Sequence, residues 1–336
     1  MNITLCGGGS WGTAIARLLS NKGHKVNFYI RNKSVIDDIK KNKENSKYLP
    51  GAKFKNEINL TNDLDSVLED IDVFVIAVPT SSTREILERI KGKISKETII
   101  VNLSKGFELE TLDRISEISS EILKDNPFVA LSGPSHAEEV GKDIPTTLVA
   151  SSLDPRAAVT IQHEFSTSIF RIYTNPDLIG VEIGGALKNI IALAAGMNDG
   201  LGYGDNSKAA LMTRGIYEMS KLGIIMGSKP HTFNGLSGIG DLIVTCTSMH
   251  SRNRRAGILI GQGKSMEEAC KEVGQVVEGV KTVKSAYKLS QLKNIEMPIT
   301  NALYQVLYEG YDPNKAVYDL MTRKNKDEIE QIFFEE

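Results

Sequence analysis

Lys188 stands inside an otherwise apolar run, Val181-Glu182-Ile183-Gly184-Gly185-Ala186-Leu187-Lys188-Asn189. Burial penalises the ammonium form, so a lysine in such a setting can give up and recover a proton near neutrality. Glu182 is the nearby carboxylate in sequence. Six residues of helix turn through about 600°, which leaves the two side chains roughly 120° apart and poorly placed to pair. The pattern points to a proton-transferring lysine.

Two further constellations lie downstream. In Gly238-Ile239-Gly240-Asp241-Leu242-Ile243-Val244-Thr245 a carboxylate follows a glycine turn. Asp241 there suits a helix cap and, compatibly, suits orienting Lys188 or a substrate hydroxyl. Ser251-Arg252-Asn253-Arg254-Arg255 is a compact basic run in a nearly neutral chain. The planar guanidinium fork matches phosphate oxygens, with the hydroxyl and amide filling remaining acceptor positions. A solvated helix face is the other interpretation of such a run.

Near the start, Gly7-Gly8-Gly9-Ser10-Trp11-Gly12 fits G-x-G-x-x-G directly after a strand pattern and before a helical one. Gly7 allows the tight turn, Gly9 lets a pyrophosphate reach the backbone, and Gly12 lets helix and strand pack closely. The free N–H groups at the helix start then meet the anion. A purely structural glycine turn leaves those three offsets unexplained. The second strand ends in Tyr29-Ile30-Arg31-Asn32, with no carboxylate for a ribose 2′-hydroxyl. Arg31 suits a 2′-phosphate, so NADPH should be accepted beside NADH, unless Arg31 is only a surface charge. Asn102-Leu103-Ser104-Lys105-Gly106 and Ser132-Gly133-Pro134-Ser135-His136-Ala137 also follow strand ends, where ligands gather in open α/β sheets. His136 finds no partner at metal-ligand spacing among His24, His163, His231 and His250, so no metal is expected.

These groups need a scaffold. Short apolar runs at 3–6, 26–30, 73–78, 98–103, 128–131 and 147–150 alternate with amphipathic stretches at 11–21, 34–41, 83–90 and 112–123. That is the pattern of β-α-β units and a parallel sheet, a Rossmann-type doubly wound α/β domain. A last strand pattern at 170–173 ends at Asn175-Pro176, the expected boundary between a dinucleotide-binding domain over 1–175 and a helical substrate domain over 176–336. Helical patterns at 178–197, 208–222, 266–273, 282–292 and 299–308 dominate the second half.

Composition narrows the classes of function. The chain has 336 residues, 41% hydrophobic and 24% charged, with 40 Lys and Arg against 42 Asp and Glu. The length fits two domains, and the charge balance excludes the broad positive field of a nucleic-acid binder. Cys6, Cys246 and Cys270 are too scattered for a disulfide framework. With no basic leader before the first strand, a cytoplasmic protein is expected. Residues 178–197 are long and apolar enough to span a bilayer, but Glu182, Lys188 and Asn189 mark a buried helix of a globular domain. A membrane span is therefore not expected.

Together these motifs resemble the bacterial NAD(P)-dependent glycerol-3-phosphate dehydrogenases, with Asp241-Leu242-Ile243-Val244-Thr245-Cys246 and Gln275-Val276-Val277-Glu278-Gly279 extending the match over nearly the whole length. The resemblance implies hydride transfer between NAD(P)H and C2 of dihydroxyacetone phosphate, giving sn-glycerol 3-phosphate reversibly for glycerophospholipid synthesis. It implies that Lys188 is the general acid and base, and that Lys105, Gly133, Ser135, Lys188, Asp241, Ser251, Arg252 and Asn253 contact the substrate. It places Ser10, Trp11, Arg31, Tyr48, Lys105, Ala137, Arg252, Val276 and Glu278 at the dinucleotide, beside the loop glycines Gly7, Gly9 and Gly12. Gly8 and His136 depart from the family's commoner alanine and phenylalanine. A homodimer stays open, because the sequence does not fix the oligomeric state. Two other functions stay open as well: a related two-domain hydroxy-acid dehydrogenase, and a protein that senses NAD(P)H without turnover.

Overall fold

A computed structural model describes residues 1–328; residues 329–336, part of the expected second domain, lie outside the described residues. The chain forms two compact units, one of Met1–Glu108 with Asp113–Leu178, the other of Leu109–Leu112 with the chain from Ile179 onward.

The first unit runs β1 (Asn2–Cys6), α1 (Ser10–Lys22), β2 (Lys25–Tyr29), α2 (Lys33–Asn42), β3 (Asn59–Thr61), β4 (Val73–Ile76), α3 (Thr83–Ile90), β5 (Ile99–Asn102), α4 (Ile115–Ile122), β6 (Phe128–Ser132), α5 (Ala137–Val140), β7 (Thr146–Ser151), α6 (Pro155–Phe165) and β8 (Phe170–Asn175). The sheet order is β3-β2-β1-β4-β5-β6-β7-β8. Its direction of winding reverses between β1 and β4, which pair in parallel with Cys6 opposite Ile76. Ile3, Leu5, Val73, Val75, Val101 and Val129 are wholly buried in the sheet. Each such side chain contributes about 1.5–3 kcal/mol relative to an exposed one.

The parallel sheet is observed with one exception: β6 and β7 are antiparallel, with Leu131 opposite Ala150. The connection from β6 to β7 carries only the four-residue α5, whereas that from β7 to β8 carries the eleven-residue α6, and β7 and β8 pair in parallel. The helix expected at 112–123 begins at Ile115, because Leu112 adopts φ 67°, incompatible with a right-handed helix. β3 and α6 were not among the expected elements.

The second unit contains most of α7 (Leu178–Gly200), then α8 (Asp205–Ile225), α9 (Asp241–Thr247), α10 (Arg252–Gly261), α11 (Met266–Val273), α12 (Glu278–Leu292), α13 (Pro298–Tyr308) and α14 (Pro313–Met321). No strand occurs in it among the described residues. The most apolar window of α7 is 89% buried, so its length and composition reflect a core helix. α7 and α10 meet backbone to backbone. A Cβ on Gly196 would lie 2.0 Å from the Arg254 carbonyl oxygen, and one on Gly257 would lie 2.1 Å from that of Leu193. Gly200 and Gly261 repeat the contact one turn on.

A cavity of about 480 Å³ lies between α8, α13 and α14, lined by Leu211, Leu303 and Val317, and at its wall sits Glu218. The Glu218 carboxylate is fully buried and accepts the backbone N–H groups of Ile299 (2.6 Å) and Thr300 (3.2 Å) at the start of α13. Burial outweighs these bonds and pushes its pKa up to about 7. A carboxyl whose folded pKa is raised contributes stability that is complete below its unfolded value of about 4.5 and lost as pH rises toward 7. Glu218→Gln lacks this titration. The parent's melting temperature should therefore fall relative to the variant's from pH 5 to pH 8, and a constant difference would show that Glu218 titrates normally.

Candidate active site

In the first unit the glycine loop sits at the switch point, at the carboxyl ends of β1 and β4. Gly7 adopts φ 127°, and a Cβ there would lie 2.4 Å from the Ala77 carbonyl oxygen just after β4. A Cβ on Gly12 would lie 2.0 Å from the Gly7 carbonyl oxygen, so α1 can start this close only with glycine. Around the Cβ position of Gly9 there is nothing within 4 Å, and Gly9 caps α1 without a side-chain acceptor. The open space and the uncapped N–H groups fit a dinucleotide pyrophosphate.

Asn45, fully buried, donates to the Gly8 carbonyl (3.0 Å) and to Thr13 Oγ1 (2.8 Å), while Ser10 Oγ donates to the Tyr48 carbonyl (2.6 Å). The segment carrying Tyr48 is thereby tied to the loop. Trp11 is half-buried against the sheet core. Arg31 is exposed beside Asn32, whose Oδ1 accepts the Ser34 N–H as the cap of α2. Sequence reasoning missed Asn45; a polar residue in a loop gives no local sign that it will be buried.

The turns after β5 and β6 converge. Ser104 Oγ donates to the Val78 carbonyl at 2.5 Å, and Lys105 Nζ reaches 3.5 Å from the Gly133 carbonyl. Ser135 Oγ donates to the same carbonyl at 2.9 Å. Gly133 has φ 134°, a backbone setting that side chains rarely adopt. Ala137 is buried at the start of α5.

The second unit assembles the other set. Lys188 is 7% exposed and Asp241 1%. Lys188 Nζ donates to Asp241 Oδ1 and, at 3.0 Å, to Thr245 Oγ1. The Thr245 hydroxyl donates to the Asp241 carbonyl at 2.5 Å. Asp241 opens α9 after a wide turn at Leu236–Gly240 and makes no side-chain cap, since Gly240 is the capping residue. Orientation of Lys188, one of the two roles open for Asp241, is thus the one its carboxylate performs. The carboxylate favours the charged lysine and so opposes the effect of burial. Thr245 stands one helical turn from Asp241, and that spacing of four is its signal in the sequence.

The basic run is not a solvated face. Ser251 is 3% exposed and Asn253 8%. Ser251 caps α10, its Oγ accepting the Arg254 N–H at 3.2 Å. Arg254 is committed to Asp199 at 2.7 Å and to the Thr247 carbonyl at 2.7 Å. Arg252, half-buried, is the first residue of α10.

Models of the NAD-dependent glycerol-3-phosphate dehydrogenase N-terminus and C-terminus match residues 2–158 and 177–318. The chain belongs to the NAD-dependent glycerol-3-phosphate dehydrogenase family. It is 54% identical to the glycerol-3-phosphate dehydrogenase [NAD(P)+] of Thermoanaerobacter sp. (strain X514), with 99% of this chain and 100% of the relative covered. The corresponding enzyme of Clostridium acetobutylicum is 52% identical, covering 97% and 98%. Among solved structures, the glycerol-3-phosphate dehydrogenase of Coxiella burnetii superposes with TM-score 0.92 at 37% identity, over 96% of this chain and 98% of that one. A ketopantoate reductase from Ralstonia eutropha JMP134 shares only the fold, at 14% identity and TM-score 0.60 over 94% and 100%. In the dehydrogenase framework the remaining expected contacts are Val276, 41% exposed, and Glu278, half-buried at the start of α12.

Proposed function

We propose that Lys188 of this NAD(P)-dependent oxidoreductase moves the proton at the C2 oxygen as dihydroxyacetone phosphate and sn-glycerol 3-phosphate interconvert. The observation that carries this is the buried Lys188 Nζ held by Asp241 and Thr245. A reduced nicotinamide, when bound, supplies the hydride for C2. Lys188 then donates its proton to the oxygen that gains the carbonyl's electron pair, and takes it back in the oxidative direction. Asp241 keeps Lys188 aimed and, until the proton leaves, charged. Thr245 holds a second hydrogen of the ammonium, which with Asp241 fixes the direction of the side chain.

The phosphate is assigned to Ser251, Arg252 and Asn253, with Lys105, Gly133 and Ser135 completing the substrate contacts. The dinucleotide is assigned to Gly7, Gly9, Ser10, Trp11, Gly12, Arg31, Tyr48, Lys105, Ala137, Arg252, Val276 and Glu278. This division makes 1–175 the dinucleotide domain and 176–336 the substrate domain. A cytoplasmic homodimer supplying glycerophospholipid synthesis is the setting that fits the family. The direct test is loss of reduced-nicotinamide absorbance on adding dihydroxyacetone phosphate; no loss with either NADH or NADPH overturns the proposal.

Arg31 carries the cofactor choice, because the tip of β2 holds an exposed guanidinium and no carboxylate. In Arg31→Asp the new carboxylate repels a 2′-phosphate and accepts from a 2′-hydroxyl. NADPH use should fall roughly tenfold or more relative to NADH use, at about 1.4 kcal/mol per decade. Equal losses in kcat/KM with both cofactors would remove Arg31 from the cofactor site.

A further inference from the structure

Three of the motifs in the second unit are joined by one buried amide. Asn253 Nδ2 donates to Asn189 Oδ1 at 2.8 Å, and the Gly279 N–H donates to Asn253 Oδ1 at 2.8 Å. Asn189 follows Lys188 on α7, Asn253 follows Arg252 on α10, and Gly279 follows Glu278 on α12. The approach is close: a Cβ on Gly279 would lie 2.7 Å from both the Asn189 carbonyl oxygen and Asn253 Oδ1. Asn189 is 6% exposed and Asn253 8%.

A carboxamide is nearly symmetric in shape but not in chemistry, since one end only donates and the other only accepts. A phosphate needs the donating end. The Gly279 N–H requires oxygen on its side of Asn253, and the Asn189 oxygen requires nitrogen on the other. The two bonds together fix which way the amide faces. They use one Nδ2 hydrogen and leave the second, at the N-terminal turn of α10 where the helix dipole also favours an anion.

We propose that Asn189 and Gly279 are positioning residues for the substrate phosphate, acting by holding the Asn253 amide with its free N–H toward the anion. The inference rests on the assignment of the phosphate to Arg252 and Asn253. Asn189 does not need to touch the substrate. With its acceptor gone, Asn253 turns or rocks, and its oxygen faces the phosphate for part of the time. The loss falls on substrate binding.

The test is a double-mutant cycle on the full enzyme with Asn189→Leu, Asn253→Leu and both, reading KM for dihydroxyacetone phosphate, kcat and the dissociation constant of NADPH. Asn189→Leu should raise KM about tenfold with NADPH binding unchanged, the size expected for one hydrogen bond to a charged group. The double variant should be no worse than Asn253→Leu alone. Multiplying effects in the double variant, or an unchanged KM in Asn189→Leu, overturns the proposal. If Asn189→Leu lowers the melting temperature too far to assay, Asn189→Ala enters the same cycle. Arg252→Ala run alongside separates the two levels: unchanged KM there refutes the phosphate assignment itself, whereas a raised KM there with a silent Asn189→Leu refutes only the positioning role.

Discussion

Replacing Lys188 with methionine should lower turnover by roughly 10²–10⁴-fold, the usual contribution of a positioned general acid or base. Methionine nearly preserves the side-chain volume, so core packing around α7 is retained. The ion pair with Asp241 adds a second effect. Removing the ammonium strands a buried carboxylate, a loss of about 3–5 kcal/mol when a buried pair is broken on one side. The single variant should therefore melt at a lower temperature. Lys188→Met with Asp241→Asn removes both charges, so its melting temperature should recover while its turnover stays low. NADPH binding should persist in the double variant, because the glycine loop is untouched. If either folded variant reduces dihydroxyacetone phosphate within a few-fold of the parent rate, the acid lies elsewhere and Lys105 is the next candidate.

Arg252→Ala should produce the second-largest loss, a fall of roughly 10–100-fold in kcat/KM for dihydroxyacetone phosphate, from about 1.5–3 kcal/mol for a charged hydrogen bond. Most of it should appear as a raised KM, with some loss of kcat, since binding energy at the phosphate also orients the reacting carbonyl. The fold should survive, because Ser251 as the cap of α10, the Asn253 amide and the Arg254–Asp199 pair all remain in place. Arg254→Ala offers the contrast. Its guanidinium is spent on Asp199, so its loss should lower thermal stability before it alters KM. Unchanged kinetics in Arg252→Ala would mean that its charge serves neither ligand.

What the sequence made legible depended on how local the physics was. Each glycine of the N-terminal loop acts on neighbours within a few residues or on the adjacent strand, so spacing alone conveys its role. Lys188 stood out because a charge in an apolar helix has to be accounted for wherever it lies. Its partner was legible as one role among others. Asp241 is 53 residues away, and a carboxylate after a glycine turn suits a cap equally well until the backbone is seen. Asn45 and Asn189 are defined by what they meet in space, and no periodicity announces that; Thr245 offered only its four-residue spacing from Asp241. β3 is only three residues, Asn59, Leu60 and Thr61, too short to show any pattern and held by pairing with β2. α6 carried a usable signal in Asp154-Pro155, a cap followed by a helix-starting proline. The antiparallel pairing of β6 with β7 has no local marker, because strand direction is set by contacts between strands and not within one.

The glycine crossing of α7 and α10 limits how this active site can be redesigned. Helices separated by side chains can close up when a residue between them is trimmed and move apart when one is enlarged. At Gly196, Gly200, Gly257 and Gly261 there is nothing to trim, and any addition forces main chain against main chain. The span from Lys188 to Arg252 is thus set by peptide groups in contact, much as a ruler is set by its own material. On the proposed assignment of Lys188 and Arg252 to the substrate, a longer polyol phosphate is not accommodated by widening that span, and a shorter one does not draw it in. Engineering at these two helices then acts through the side chains they carry and not through the distance between them.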